Sequence, residues 1–506
     1  AYKGVNDFIK LNLLESNPLS DDYLIPTAFP RQLVYKFLDR TKHNMVNFYG
    51  KTSYTYKETY TAALTLRYDG SSNAQPTSRW FFSPVLALGW NAKNNLLKDH
   101  ANVNAFNIRA SAGRVGIYNT FDNYSQGPSY TAQVGYTGNA IVPGYNGFAV
   151  LVRPYDVGWV GYDIPWSYSD MANIGFDLGL KNRDLQLSFD AYLRDTKDQL
   201  IMLPGKKDYG YQYQYESGMD VRNMGIDLNI IGNVIQNKQV TWNSGLTLGI
   251  NTNKLLALPL GLDQIEVNDR LLKVGERIDA FWIYKNEGIY NTDQEVPSFD
   301  GNKLTYNGII LKAGDPIWSD TNKDNQITKE DKVLDGNIIP KLSGSWNNMI
   351  TYKNFDLNLN FYFNLGRKII NQEMANRFNF IENENSSNIN SIKEITYWEN
   401  RGDYAKYPLY NPWSSVSPYQ SGQSLFLEDG SFLKLRTATI GYNFKDVLNN
   451  KLGKNGDLYV YLSANNLFTL SNYSGRDPEL VNFFGYDRGY SLPIPRTFAL
   501  GFKLKL

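Results

Sequence analysis

Apolar and polar side chains alternate strictly along several stretches of the chain. In the clearest stretch the apolar set is Phe355, Leu357, Leu359, Phe361 and Phe363, and the polar set is Asp356, Asn358, Asn360, Tyr362 and Asn364. Successive side chains of a β-strand point to opposite faces, so this pattern predicts a strand with one apolar and one polar face. A helix would scatter both sets around its surface.

The same alternation recurs in residues 106–113, 185–194, 224–230 and 497–506. The predicted strands are 42–56, 60–69, 79–90, 104–113, 171–180, 185–203, 221–231, 240–253, 344–352, 355–366, 432–444, 457–468 and 496–506. The sequence therefore predicts an all-β protein.

Long and short connections alternate between these strands. The longest predicted loops are 114–170, 254–343, 367–431 and 469–495, and the short connections include the hairpin turns 181–184 and 353–354. Outer-membrane barrels have short periplasmic turns and long extracellular loops in such alternation. We therefore expect residues 42–506 to form a transmembrane antiparallel β-barrel wall, with the apolar face toward lipid and the polar face toward a wet lumen.

The first and last predicted strands run in the same direction, so they cannot pair with each other as antiparallel neighbours. Bacterial barrels close with an even, antiparallel set of strands. Either residues 1–41 contain a further strand, for example around 32–38, or the chain is one part of a larger barrel.

The amino-acid composition excludes several classes of function. The chain has 506 residues, 51 basic and 50 acidic side chains, two His and no Cys. A net charge of +1 argues against nucleic acid as a partner, because binding phosphates requires a basic surface. The absence of Cys excludes thiolate metal sites and thiol nucleophiles, and two His supply little metal or triad chemistry. No stretch is long and apolar enough for a membrane-spanning helix.

Several motifs occur in the order found in the SusC/RagA family of TonB-dependent outer-membrane transporters, which the chain resembles from about residue 60 to its end. They are residues 66–72, 81–85, 89–90, 223–228, 274–277, 314–337, 428–436, 463–468, 473–479 and 495–498. The resemblance implies an importer of glycans or peptides with a SusD-like surface lipoprotein as its lid and with TonB as its energy source.

Two features depart from the family pattern. Family members carry a plug domain ahead of the barrel, and the residues before the first predicted strand are too few for one. A large plugged transporter also needs roughly 22 strands. We therefore expect this chain to be the C-terminal part of such a barrel, with the plug and early strands outside this sequence. Its last residue, Leu506, also replaces the aromatic residue that usually ends outer-membrane proteins.

One acidic segment has the spacing of a calcium-binding loop. Oxygen-bearing side chains recur at alternate positions, as a hard cation requires. The predicted ligands are Asp320, Asn322, Asp324, Gln326 through its backbone, Thr328 and Asp331. Asn325 stands where Gly is usual and tolerates a left-handed backbone. The expectation is a structural Ca²⁺; the alternative is that these residues only solvate the loop.

Aromatic clusters could stack on sugar rings. They are Tyr209, Tyr211, Tyr213 and Tyr215, and Trp159, Tyr162, Trp166 and Tyr168. The plainer interpretation is a membrane-interface girdle or loop packing. Residues 382–400 also suggest a short helix.

Three other functions stay open on the sequence alone. The chain could form a passive porin-like barrel, or serve as a structural barrel subunit of a larger outer-membrane complex. The chain could also be a secreted β-rich glycan-binding protein or a glycosidase, and a glycosidase would need a pair of carboxylates. The sequence singles out no such pair, so we expect no enzyme activity, and fold similarity does not confer chemistry.

Overall fold

The computed structural model describes residues 44–505, apart from 73, 75, 118–130, 134–149, 153–158, 161–163, 181–183, 206–212, 268, 379–395, 404, 412–413 and 445–456, and also describes the strands Phe8–Leu11 and Leu38–Thr41. Within these residues, no helix is long and apolar enough to cross a membrane. Most of the predicted turn at 181–184 and most of the predicted helix at 382–400 lie outside the described residues.

Thirteen long strands form one continuous antiparallel sheet in chain order. They are β1 (Met45–Tyr56), β2 (Tyr60–Ser71), β3 (Trp80–Asn91), β4 (Val103–Ile117), β5 (Ser167–Leu180), β6 (Leu185–Pro204), β7 (Tyr213–Gln236), β8 (Val240–Ala257), β9 (Leu342–Tyr352), β10 (Phe355–Leu365), β11 (Phe432–Asn443), β12 (Asp457–Ser471) and β13 (Thr497–Lys505). Each predicted strand corresponds to one of these strands, so the all-β prediction is confirmed.

Register keeps the two faces separate across the sheet. Leu86 on β3 lies opposite Leu64 on β2 and Ala112 on β4, and Phe361 on β10 lies opposite Trp346 on β9. On the other face, Asn358 pairs with Thr439 on β11. A shift of one residue would turn a whole strand over, so the alternation in the sequence fixes the pairing.

Aromatic side chains border the apolar face at both ends of the strands. The Tyr68 and Trp80 rings stack at 5.0 Å near one end of β2, and the Tyr60 and Trp90 rings stack at 6.2 Å near the other. Tyr60 and Tyr68 are eight residues apart. At ~3.4 Å per residue and a strand tilt of ~40°, they are separated by ~21 Å along the membrane normal, close to the ~25 Å apolar band of outer-membrane barrels.

The connections at one end of the sheet, here called the hairpin end, are short, and the four longest connections lie at the other end, the loop end. The hairpin end carries 57–59, 92–102, 237–239 and 353–354, whereas the loop end carries 118–166, 258–341, 366–431 and 472–496. Lys57 and Glu58 adopt positive φ, which a tight hairpin requires. The alternation of connections agrees with the sequence pattern.

Several strands extend past the predicted limits at the loop end. β7 begins at Tyr213 rather than at 221, and its first part pairs with residues 199–204 of β6 across bulges. Beyond the apolar band the strand no longer needs a continuous lipid-facing side, so the alternation fades while the backbone pairing continues. The extensions enclose a small core of Ile201, Leu203, Val221, Leu255, Leu258 and Ile265.

The loops contain short elements of their own. The strands are Thr131–Gln133, Val150–Val152, Trp159–Val160, Gln264–Val267, Arg270–Lys273, Phe281–Ile283, Asn286–Ile289, Ser298–Phe299, Asn302–Lys303, Thr305–Tyr306, Ile309–Ile310, Pro316–Trp318, Gln326–Ile327, Val333–Asp335, Lys368–Asn371, Leu427–Asp429 and Tyr486–Asp487. Helix α1 spans Gln372–Phe378, and 3₁₀ turns occur at Pro76–Ser78, Ala92–Asn94, Pro259–Gly261, Lys329–Asp331 and Ser424–Phe426. Phe8–Leu11 pairs with Leu38–Thr41 outside the main sheet.

Both edges of the main sheet are open within the part of the chain that the structure describes. β1 pairs only with β2, and β13 pairs only with β12. The apolar side chains of β13 are accordingly well exposed, with Leu500 at 77% and Phe502 at 75%.

Leu86 lies midway between the two aromatic borders on β3. We expect Leu86→Arg to destabilise the membrane-inserted sheet by about 2–4 kcal/mol, because it places a charge against hydrocarbon. Ala87→Arg, one residue along on the polar face, serves as the control and should insert normally. The protease-protected fraction of the chain in outer membranes measures the difference. Equal protection of the two variants would contradict this assignment of faces.

Candidate functional site: the polar face and its mouth

Charged side chains on the polar face of the sheet pair across strands. Arg109 Nε lies 2.8 Å from Asp177 Oδ2, and its Nη2 lies 3.0 Å from Asp190 Oδ2. Such half-exposed pairs stabilise a fold by only about 0–1 kcal/mol each. They indicate instead that this face borders water.

A depression of about 570 Å³ lies on this sheet, lined by residues from β3 to β8. Its polar lining includes Ser111, Asn173, Tyr192, Asn223 and Asn251. Asn251 Nδ2 donates a hydrogen bond to the Tyr192 hydroxyl at 2.9 Å. The lining therefore offers amide and hydroxyl groups suited to hydrogen-bonding ligands.

At the loop end, the connections 258–341 and 366–431 pack together as one body, here called the mouth body. One apolar cluster joins Tyr284, Trp318 and Ile327 from the first connection to Val416 from the second. A second cluster joins Phe281 and Ile283 to Ile370, Phe378 and Phe426. The long loops are thus a folded structure with a core of its own.

Gln423 connects the two halves of the mouth body through four hydrogen bonds. Its Oε1 accepts from Trp318 Nε1 and from Asn286 Nδ2, each at 2.9 Å. Its Nε2 donates to the carbonyls of Pro418 and Gln420 at 2.7 and 3.0 Å. Gln423 is fully buried, so every polar atom of its amide has found a partner. No pattern in the sequence singles out this residue.

Two of the family-like motifs meet at the rim of the polar face. Lys434 from 428–436 is buried and lies 2.9 Å from Asp477 Oδ2, and it also contacts Glu479, both from 473–479. Arg436 Nη2 lies 2.7 Å from Glu479 Oε1. Burial alone would raise the pKa of Glu479, but hydrogen bonds from Lys434 and Arg436 hold this pKa below its usual range.

A third motif anchors the mouth body to β8. Asp279, just past residues 274–277, accepts hydrogen bonds from Arg277 Nε, Asn253 Nδ2 and the backbone amide of Ile339 at 2.8–2.9 Å. Gly275 adopts φ +91, which allows the sharp turn before this site. These three motifs therefore hold joints between loops and strands.

The predicted calcium loop is closed by hydrogen bonds from its own backbone. Asp320 accepts from the amides of Lys323 and Asn325 at 2.7 and 2.9 Å, and Asn325 adopts φ +64, as expected of the glycine position. Asn322 Nδ2 donates to Asp324 Oδ2 at 2.9 Å.

Asp331 is fully buried and accepts from the amides of Thr321 and Thr328, each at 2.8 Å. Gln326 begins the short strand Gln326–Ile327, and Thr328 caps the 3₁₀ turn. Among the described residues, no three His, Cys, Asp or Glu side chains are grouped closely enough to hold a metal ion. The loop is thus held by its backbone hydrogen bonds, and calcium stays a prediction.

Of the two aromatic clusters, Trp166 and Tyr168 pack against neighbouring side chains. Trp166 is buried, stacks on Phe81 at 5.6 Å and donates from Nε1 to the Ser78 carbonyl at 2.7 Å. The Arg114 guanidinium lies 4.2 Å from the Tyr168 ring centroid. Tyr162, Tyr209 and Tyr211, and the side chains of Trp159 and Tyr213, lie outside the described residues.

Known proteins share this architecture. No protein-family model matches the sequence. The TonB-dependent receptor P39 of Formosa agariphila is 28% identical over 482 residues, which are 88% of this chain and 44% of the receptor. The TonB-dependent receptor SusC of Bacteroides thetaiotaomicron is 25% identical over 492 residues, 92% of this chain and 44% of SusC. The chain thus spans less than half the length of these relatives.

Among solved structures, the RagAB peptide importer in its open-open state covers 96% of this chain and 50% of the matched chain, at a TM-score of 0.71 and 19% identity. The sheet therefore has the fold of an outer-membrane β-barrel wall, which places the chain in the outer membrane. The resemblance to the SusC/RagA family of TonB-dependent receptors is confirmed. These relatives are receptors and transporters rather than enzymes, as expected for this chain.

Replacing Gln423 with Leu should loosen the mouth body without unfolding the sheet. The change leaves the Trp318 indole, the Asn286 amide and two carbonyls without their partner, at about 1–3 kcal/mol for each buried group left unpaired. Hydrogen exchange of residues 281–290 and 416–426 should accelerate, while exchange of β9 and β10 stays unchanged. The exposed Gln264→Leu is the control. Unaltered exchange in the mouth body would contradict the role given to Gln423.

Proposed function

We propose that this chain forms the wall and outer mouth of a TonB-dependent importer for oligosaccharides or peptides in the outer membrane. The observation that carries the proposal is the combination of a polar inner face with a folded mouth body at one end of the strands. A passive pore needs only the wall, whereas a receptor also needs an ordered outer surface that selects its ligand.

The mouth body would face the cell exterior and the hairpin end the periplasm, following the usual arrangement of outer-membrane barrels. A SusD-like lipoprotein would cover the mouth, as suggested by the similarity to SusC and to the RagAB importer. The open edges of β1 and β13 require further strands, because unpaired backbone groups are not tolerated in hydrocarbon. The same assembly would supply the plug through which TonB acts.

Deleting the gene for this chain tests the importer against the two alternatives of a passive barrel and a structural subunit. We expect uptake of fluorescent oligopeptides or malto-oligosaccharides by whole cells to fall in the deletion strain. In the parent strain, a protonophore should abolish the same uptake, because TonB requires the proton gradient. Uptake that survives the protonophore would indicate a passive pore. Unchanged uptake in the deletion strain would favour a structural role.

We also propose that the loop 320–331 binds Ca²⁺ as a structural ion. The support is the geometry of Asp320, Asn322 and Asp324 on one turn closed by the left-handed Asn325. Binding would replace the Asn322–Asp324 hydrogen bond with oxygen ligands to the cation. The ion would stiffen the mouth body and take no part in transport.

Hydrogen exchange of residues 319–331, with Ca²⁺ and with a chelator, tests this site. Calcium should slow exchange in the native protein and in Asp300→Asn, a control on another exposed turn. Asp320→Asn should remove the effect. Identical exchange with and without calcium in the native protein would rule out the site.

A further inference from the structure

A row of charged side chains crosses the sheet at the loop-end limit of the apolar face. Its members lie opposite one another on the successive strands β4 to β8, namely Arg114, Asp170, Asp195, Arg222 and Lys254. Two residues nearer the hairpin end, the corresponding row consists of Ala112, Ala172, Leu193, Met224 and Thr252. Residues two apart on a strand share a face, so the charged row continues the lipid-facing side of the sheet.

The height of this row matches the border of the hydrocarbon. On β8 the lipid-facing side runs from Trp242, near the hairpin end, to Thr252, and Lys254 follows. Trp242 and Thr252 are ten residues apart. At ~3.4 Å per residue and a strand tilt of ~40°, they are separated by ~26 Å along the membrane normal, against ~25 Å for the apolar band. Lys254 and its partner Arg222 therefore lie at the level of the lipid head groups.

Both carboxylates of the row are already paired with cations. Asp170 Oδ1 lies 2.7 Å from Arg114 Nε, and Asp195 accepts hydrogen bonds from Nε and Nη2 of Arg222, each at 2.7 Å. Lys254 is exposed, and its ammonium group makes no ion pair or hydrogen bond within the part of the chain that the structure describes. The row thus contains one more cation than carboxylates.

Arg222 and Lys254 carry like charges directly opposite each other on β7 and β8. The Cβ atoms of such cross-strand partners are ~5 Å apart, and like charges there destabilise a sheet. Asp195 occupies Nε and Nη2 of Arg222, so Nη1 has no hydrogen bond among the described residues. Asp220, the next carboxylate along β7, lies beyond a register shift and accepts from the Asp198 amide. An anion between Nη1 of Arg222 and the Lys254 ammonium would relieve the repulsion.

The position of this pair identifies the source of the anion. The next residues along the two strands, Asn223 and Asn253, are partners on the opposite, polar face. A ligand in the lumen would therefore meet the two asparagines and not the two cations. Lipid phosphates lie at the membrane border, where they attract basic side chains. Guanidinium and ammonium groups both bind phosphate through charge-assisted hydrogen bonds.

We propose that Arg222 and Lys254 bind the phosphate of a membrane lipid on the lipid-facing surface of the wall, at the loop-end border of the bilayer. Arg222 would donate from Nη1 and Lys254 from its ammonium group. The acyl chains of the same lipid would lie along the exposed Met224 and Ile250. The bound lipid would hold β7 and β8 at a fixed depth. The proposal is independent of the importer function, because it needs only the membrane location of the sheet.

Native mass spectrometry of the detergent-extracted native assembly tests this site. The probes are phosphatidylglycerol and monogalactosyldiacylglycerol with the same acyl chains, of which only the first carries a phosphate. Phosphatidylglycerol should bind more tightly, and added salt should reduce the difference. Glycerol phosphate, a soluble head group without acyl chains, should not displace it at the same concentration. This competition distinguishes a lipid from a free phosphate.

Lys254→Gln should weaken binding of phosphatidylglycerol about fivefold, as expected for the loss of one basic side chain at a membrane surface. Arg222→Gln should have an effect of similar size, and the double variant should bind both lipids equally. Lys312→Gln, at an exposed lysine of the mouth body, is the matched control and should change nothing. Because Arg222→Gln also leaves Asp195 unpaired, the decisive variant is Lys254→Gln, which breaks no ion pair among the described residues.

The proposal is overturned if phosphatidylglycerol binds no more tightly than the galactolipid, or if Lys254→Gln leaves its affinity unchanged. Equal losses of affinity for both lipids would also overturn it, since they would indicate a site for acyl chains alone. Displacement of phosphatidylglycerol by glycerol phosphate would overturn the lipid assignment and give the two cations to a soluble anion.

Discussion

Backbone hydrogen bonding in hydrocarbon is the constraint on which this structure depends. Water cannot satisfy an N–H or C=O group inside a bilayer, so each strand must pair with neighbours along its whole membrane-crossing length. Continuous pairing from β1 to β13 forces side chains to alternate between two environments. The apolar face, the polar face and the aromatic borders all follow from this requirement.

The mouth body obeys the ordinary rules of a water-exposed protein. Its apolar clusters are buried, and Gln423 and Asp279 each make several hydrogen bonds. Their hydrogen bonds join segments that are far apart in the chain, which gives the long connections a defined shape.

The sequence predicted the membrane-facing strands, which the bilayer constrains, but little of the structure outside the membrane. Period-two alternation located all thirteen strands, because lipid selects every second residue. It missed the extension of β7 to Tyr213, where neither face meets lipid. Gln423 could not be predicted either, since its importance comes from Trp318 and Asn286, which are remote in sequence. The buried ion pair of Lys434 has only a weak signal in the sequence, namely a charged residue between Leu433 and Leu435.

Strand direction gives the last constraint on the whole assembly. Strand direction reverses at each step along the sheet, and an odd number of strands lies between β1 and β13. Both of these edge strands therefore run from the loop end to the hairpin end. They cannot pair with each other in an antiparallel barrel, and closure requires an odd number of additional strands between them. Bacterial barrels with an even total satisfy this condition, and roughly nine more strands would reach the roughly 22 of a plugged transporter. The relatives are more than twice as long as the segment that matches this chain, so a protein of their length has room for the additional strands.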